Sequence, residues 1–331
     1  MAVTLKDVAE LAGVSRSAVS RTFTEGASVS AKTRNKVMTA ANELGYSPNA
    51  LASSLTTGRT KMIGLVSNNF HNPIFLEVFD LFTRGLHERD LRPLLVNLTD
   101  ETDPEASVRM LRQYSVDGVI VASSTLPHDF ARAFRDAGVP VVHSFGRQSE
   151  APAVDVLGID NIAAGRLAAR TLIDRGYTNV GFLGGPASAT STIDRQAGFM
   201  EEVAQHSGMS ATSSFATAYS FEAGREEMTR LLASKPAQAY FCGDDVLSIG
   251  AMSALQTAGL KVPDDVGIIG LNDMEMAGWE NINLTTIHNP VSEIIAASIA
   301  RVTELVADPT LEPKARLFDG SVVERGTLRP A

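Results

Sequence analysis

The chain has 331 residues, 44% of them apolar and 20% charged, enough to bury a sizeable core spread over two or three compact units. Its net charge of −9 excludes a uniformly basic nucleic-acid binder, yet the charge is uneven. Residues 1–61 carry eight Lys and Arg against four Asp and Glu, net +4, so the other 270 residues carry −13. A single cysteine, Cys242, excludes an internal disulfide and a cysteine metal cluster and is expected only to pack. No stretch reads as a signal peptide or approaches the roughly 18 apolar residues of a membrane span, so a cytoplasmic location without membrane partners is expected.

In chain order, residues 4–45 read as three short helices. In the first, Leu5, Val8, Ala9 and Ala12 fall at helical spacing, and Thr4 with Asp7 resembles a capping box with Asp in place of Glu. Gly13 breaks that helix, and Ser15 is placed to cap the next. On the second helix Arg16, Ser17, Ser20 and Arg21 occupy one arc of roughly 140°, with Ala18, Val19 and Phe23 on the rest. Ser30 caps the third, whose Val37, Ala40, Ala41 and Leu44 repeat the spacing until Gly45. A packed helix that leaves a short arginine-bearing face free after a tight glycine turn is what a helix-turn-helix reader of DNA needs.

"YSPNALASSLTTGRTK", Tyr46 to Lys61, then holds one helical phrase of about two turns, marginal without partners. From Met62 apolar strands alternate with helical segments. Strands are predicted at 62–67, 93–98, 117–123, 139–145, 156–160, 179–185, 239–243, 266–271 and 284–289. Helices are predicted at 73–90, 103–114, 161–176, 190–206, 221–234, 244–258 and 290–306. Such alternation implies right-handed βαβ units, and its length implies two α/β subdomains, with "IGLVS" and "VGFLGG" as two starts of a similar unit.

"TLKDVAELAGVSRSAVSRTF", "VSAKTRNKVMTAANELGYSPNALASSL", "TKMIGLVSNNFHNPIF", "DRQAGF", "CGDD" and "LTTIHNP", in that order over nearly the whole chain, resemble the lactose-repressor (LacI/GalR) family of bacterial transcription regulators. The resemblance implies an all-α helix-turn-helix domain at 1–46, a hinge helix and linker at 47–61 and a core at 62–331. That core would be two Rossmann-like subdomains, periplasmic-binding-protein-like, at about 62–160 with 290–318 and about 161–289 with 319–331. Because the chain stops at "ERGTLRPA" without a leucine heptad tail, it resembles the family's dimeric members. The expected partners are double-stranded operator DNA, a second copy of the chain and a small-molecule effector, most simply a sugar or sugar derivative. No cofactor or metal is expected.

By match to the family motif, Arg16, Ser17 and Arg21 read bases, because arginine pairs bidentately with guanine. They could also be solvated or touch only phosphates. Thr4, Ser15, Ser20, Ser30 and Lys32 suit phosphate contacts, or simple capping and solvation. The residue matching Leu55 is a minor-groove wedge in the family, and Leu51 fits a contact between paired hinge helices. In the cleft between subdomains the resemblance implies Phe75, Ser144, Phe145, Arg195, Tyr219 and Asn272 as effector contacts. Phe75 and Tyr219 could equally be core. Asp244 and Asp245 read as a helix cap and as groups that orient neighbours. Two departures from the family, Asn272 in "GLND" and Ser144 where Asp is frequent, alter the donor and acceptor pattern offered to a ligand.

Two other classes are weighed. A periplasmic solute-binding protein is disfavoured by the basic head. An α/β enzyme is disfavoured because the chain lacks a G-x-S-x-G elbow, a phosphate-binding loop and a dinucleotide fingerprint.

Overall fold

The computed structural model describes residues 3–24, 26–47, 54, 58–68, 70–98, 103–126, 128–149 and 151–330. The chain divides into two compact units, Met1–Thr60 and Lys61–Ala331.

The first unit contains α1 (Leu5–Ala12), α2 (Arg16–Phe23) and α3 (Ala31–Leu44). Each starts on its own hydroxyl cap. Thr4 and Asp7 form the reciprocal box, with Thr4 N–H donating to Asp7 Oδ2 at 2.7 Å and Asp7 N–H donating to Thr4 Oγ1 at 3.4 Å. Ser15 Oγ accepts from Ala18 N–H and Ser30 Oγ from Thr33 N–H, both at 3.2 Å. Gly13, at φ +64°, makes the left-handed turn into α2 that a β-carbon would oppose. Val8, Ala9, Ala12, Val19, Val37, Ala40 and Ala41 form a small core, with Phe23 against Tyr46 at 5.8 Å between ring centroids. Thr22, absent from the predicted packed side of α2, belongs to it: it is buried, and its hydroxyl donates to Ala18 O.

The second unit holds two six-stranded sheets. One is built from β1 (Met62–Ser67), β2 (Arg92–Asn97), β3 (Gly118–Ala122), β4 (Val141–Ser144), β5 (Asp155–Ile159) and the late strand β11 (Ala315–Phe318), in the order β11-β5-β4-β3-β1-β2. The other contains β6 (Asn179–Gly184), β7 (Ser210–Phe215), β8 (Ala239–Cys242), β9 (Gly267–Asn272), β10 (Thr286–His288) and β12 (Ser321–Val323), in the order β12-β10-β9-β8-β6-β7. The pairings are parallel except that β12 runs antiparallel to β10. β1 and β6, the two strands read as starts of a similar unit, occupy the same position in the two sheets.

Helices cover both faces of each sheet. In the first lobe α4 (Ile74–His87) and α11 (Val291–Ala307) share one core, and α5 (Pro104–Gln113) packs with α6 (His128–Asp136) on the other side. In the second lobe α7 (Asn161–Asp174) lies on α8 (Thr190–Ala204), and α9 (Phe221–Leu231) on α10 (Asp245–Thr257). The chain crosses between lobes three times, after β5, after β10 and between β11 and β12. Among the described residues, three strands, one α-helix and a 3-10 turn at Glu275–Gly278 lie outside the predicted set: β7, β11 and β12 are sheet-edge strands, the last two only four and three residues long, and α6 is a short, charge-rich helix.

Candidate functional site

On α2 the side chains of Arg16, Ser17, Ser20 and Arg21 are exposed while Val19 is fully buried, so the packed and free faces separate as the periodicity requires. Ser17 Oγ shares a hydrogen bond with Ser15 Oγ at 2.9 Å, and Arg21 Nε donates to Ser17 O at 3.3 Å. That tether steadies the base of the Arg21 side chain. Thr4, Ser15 and Ser30 are engaged as helix caps, and exposed Lys32 follows in the first turn of α3. Leu51 and Leu55 lie outside the described residues.

In the second unit the carboxyl ends of both sheets face a cavity lined by residues of both lobes, the place where open parallel sheets bind small molecules. Among the described residues Phe75 and Phe145 line it from the first lobe and Arg195, Tyr219 and Asn272 from the second, so five of the six predicted contacts meet there. The rings of Phe75 and Phe145 stand edge to face at 6.4 Å. Ser144 does not join them. It is fully buried, and its hydroxyl donates to Ser298 Oγ on α11 at 2.8 Å. The ladder runs through Ser144, whose side chain is held against α11, and it is the next residue, Phe145, at φ +65°, that turns toward the cavity.

The polar floor is a connected lattice. Asp244 Oδ1 accepts from Val246 N–H, capping α10, and its Oδ2 accepts from Asn72 Nδ2 and Asn272 Nδ2, all at 2.9 Å. Asn272 Oδ1 in turn accepts from Asn289 Nδ2 at 3.1 Å, and Asn289 Oδ1 is buried without a partner. Burial raises the pKa of Asp244, opposed by the Val246 N–H, Asn72, Arg195 and Asn272. Arg195 Nε donates to Asn161 Oδ1 at 2.8 Å and its Nη1 to Gly243 O. Asn161 and Arg195 come within reach because α7 and α8 touch backbone to backbone. A β-carbon at Gly165 would lie 2.2 Å from Arg195 O, and one at Gly198 would lie 2.0 Å from Ile162 O. Tyr219 is held by Thr192 Oγ1 at 2.7 Å and Ser191 Oγ at 3.1 Å.

Asn72, Asn161 and Asn289 are cavity residues beyond the predicted set, and Asp244 joins the wall as well as capping its helix. The signal for two of them is in the sequence: "HNP" occurs at 71–73 and again at 288–290, each time directly before a cleft helix. The lattice commits its charged groups to internal bonds, and among the described residues no group of three or more His, Cys, Asp or Glu could hold a metal ion. Cys242 is fully buried, and burial pushes its thiol up to about 12, which leaves it unreactive.

Residues 4–49 match the family described as bacterial regulatory proteins, lacI family, and residues 169–328 match the periplasmic binding protein-like domain. The HTH-type transcriptional regulator DegA of Bacillus subtilis is 33% identical over 302 residues, 89% of this chain and 88% of DegA. The HTH-type transcriptional repressor PurR of Escherichia coli O139:H28 is 31% identical over 98% of this chain and 96% of PurR. The chain belongs to the lacI family of bacterial regulatory proteins. Among solved structures, this lacI-family regulator is similar to the lac repressor dimer bound to operator and the anti-inducer ONPF, with a TM-score of 0.88 and 26% identity over 100% of both chains. It is also similar to the transcriptional regulator CelR–cellobiose complex, with a TM-score of 0.73 and 27% identity over 98% of this chain and 99% of CelR. Among the described residues no helix of the regulator is long and apolar enough to cross a membrane.

Proposed function

We propose that this lacI-family protein is a cytoplasmic, non-catalytic repressor that binds a palindromic operator as a homodimer and is controlled by a small molecule, a sugar or sugar derivative, bound in the cleft. Residues 1–46 read the operator, 47–61 form the hinge and 62–331 sense the effector and dimerise. Arg16, Ser17 and Arg21 contact bases. Thr4, Ser15, Ser20, Ser30 and Lys32 position the head on phosphates. Leu55 wedges the minor groove, and Leu51 meets its counterpart on the second hinge.

The observation that carries the reading is the buried lattice around Arg195, built from both lobes and facing a cavity with two phenylalanine rings. Arg195 suits a hydroxyl pair, carboxylate or carbonyl, and the rings suit an apolar face. The operator and anti-inducer in the similar lac repressor structure, and the cellobiose in the CelR structure, support the same assignment. Effector binding changes the arrangement of the lobes and thereby the affinity for DNA, and DNA changes effector affinity by the same factor.

Two measurements test this. Selection of operator from random duplexes should return a palindrome bound by two chains. A thermal-shift screen of sugars, sugar acids, nucleosides and polyols should return a compound that raises the melting temperature, by mass action, and shifts operator affinity. Selection of non-palindromic DNA, or ligands without effect on operator binding, would overturn the reading.

A further inference from the structure

Away from the three crossovers, polar contacts among the described residues join the lobes at three points. Asn72 meets Asp244 inside the cavity, Thr190 Oγ1 donates to Ser124 O at 3.1 Å, and the Arg147 guanidinium lies 2.7 Å from Asp194 Oδ1. Only the last, among the described residues, is an ion pair spanning the lobes. Arg147 follows β4 on the first lobe, and Asp194 sits on α8 of the second.

We propose that Arg147 is a positioning residue that clasps the lobes together through Asp194 and keeps the two walls of the cavity in register. The connection is short on both sides. Arg147 is two residues past Phe145, and Asp194 directly precedes Arg195, so the pair ties the backbone carrying the phenyl ring to the helical turn carrying the guanidinium. Two other charged groups beside the pair, Arg166 and Asp160, are committed elsewhere. Arg166 pairs with Glu201 at 2.8 Å, and Asp160 Oδ1 accepts from Ala163 N–H at the start of α7.

The Asp194 side chain is 10% exposed and that of Arg147 is 42% exposed. Burial of Asp194 disfavours its charged form, with Arg147 and then Arg195 acting against that effect. A carboxylate so placed needs its counter-charge, and the nearer cation comes from the opposite lobe. When the lobes part, Asp194 loses that partner unless water replaces it, so the pair favours the arrangement in which the two lobes meet at this point. Its solvent-facing side also makes the clasp sensitive to salt, which the buried Asn72–Asp244 contact is not. In its consequence for signalling the inference rests on the cleft being the effector site; the clasp itself does not.

Hydrogen exchange on the full-length protein, without ligand or DNA, tests it. Arg147→Ala is expected to speed exchange about tenfold in segments 72–76, 122–126 and 189–195 and to leave β1 and β6 unchanged. Arg147→Lys should keep much of the protection. The charge exchange Arg147→Asp with Asp194→Arg should restore it, a recovery that loss of packing alone would not give. On the unmodified protein, about 1 M salt should reproduce part of the Arg147→Ala effect, which covers a variant that does not fold. Unchanged exchange in Arg147→Ala, a charge-exchanged protein as open as the single variant, or insensitivity to salt would each overturn the clasp. If exchange responds as stated while the thermal-shift screen returns no compound, the clasp stands and the effector assignment falls. A compound that binds a protein whose exchange ignores Arg147 gives the reverse.

Discussion

In the head, Arg16, Ser17, Ser20 and Arg21 stand exposed on one arc of α2, where Ser17 meets the Ser15 hydroxyl and Arg21 the Ser17 carbonyl, contacts no more than four residues apart in the chain. In the core, Arg195, Asp244 and Asn272 are buried and bound to one another or to residues from distant parts of the chain. A surface that must dock onto a ready-made duplex needs free donors on a stable scaffold. A cavity that must recognise a small molecule needs groups fixed beforehand by mutual bonds, because an unpaired polar group there is expensive. A side chain in the head should therefore be removable without unfolding anything, whereas charged groups in the core should be removable only at a cost to the fold.

The largest effect should come from the core. Arg301 donates to Asp155 Oδ1 at 2.6 Å and to Glu312 O at 2.7 Å, and both charged side chains are buried. Arg301→Ala should destabilise the core by about 3–5 kcal/mol, because it leaves a carboxylate unpaired. Calorimetry should show a core transition far below that of the wild type, with the helical head unaffected; an unchanged core transition would break the contrast. Arg16→Ala should do the opposite. Operator affinity should fall by about 1–3 kcal/mol, or roughly 5- to 150-fold, with no change in melting temperature, as read by titration against selected and scrambled duplexes. Equal losses on both duplexes would make Arg16 a phosphate contact.

A pH experiment sharpens the same contrast. Burial pushes the Asp245 carboxyl up to about 7, against the Thr286 hydroxyl and the Met274 N–H that favour its charge. The folded protein thus retains a proton that the unfolded chain releases near pH 4, so stability falls as pH rises from about 4 to 7 and then levels. Asp245→Asn can accept from Met274 N–H and donate to Thr286 Oγ1, and should reduce the slope of urea midpoint against pH. Asp244 and Asp194, raised in the same direction, should keep some slope. A slope identical to wild type would remove Asp245 from the account. The smallest effect belongs to the head: Ser15→Ala should cost about 1 kcal/mol of stability and Ser15→Asp much less. If operator affinity drops further than the unfolded fraction explains, as measured with the head's melting curve in hand, Ser15 also meets DNA.

What the sequence discloses follows the same division. The head is legible because its signals are local: Thr4 and Asp7, Ser15, Ser30, Gly13 and Gly45 each act within four residues of the group they satisfy. The central strands are legible as apolar runs, whereas the edge strands are either largely polar, as "SATSSF", or too short to form a run, as "ARLF" and "SVV". In the cavity, Arg195 and the aromatic residues stand out by type. Asn161, directly after the Asp160 cap, does not, and the repeated "HNP" of Asn72 and Asn289 gains its meaning only when two sheet ends meet and give the three asparagines one cavity to line. Ser144 was misplaced because, next to Phe145 in sequence, it differs in the direction its side chain takes, a matter settled by contact with Ser298 on a helix some 150 positions later.

The three crossovers also govern how the protein can be made. The first lobe lacks its edge strand until Ala315–Phe318 has been synthesised, and the second lacks its own until Ser321–Val323. The residues of the head's core all lie between Leu5 and Tyr46. On the ribosome, the core of the helical head is complete after the first 46 residues, while each lobe waits for a strand synthesised after residue 314. A chain cut short between those points would carry a folded head without either finished lobe.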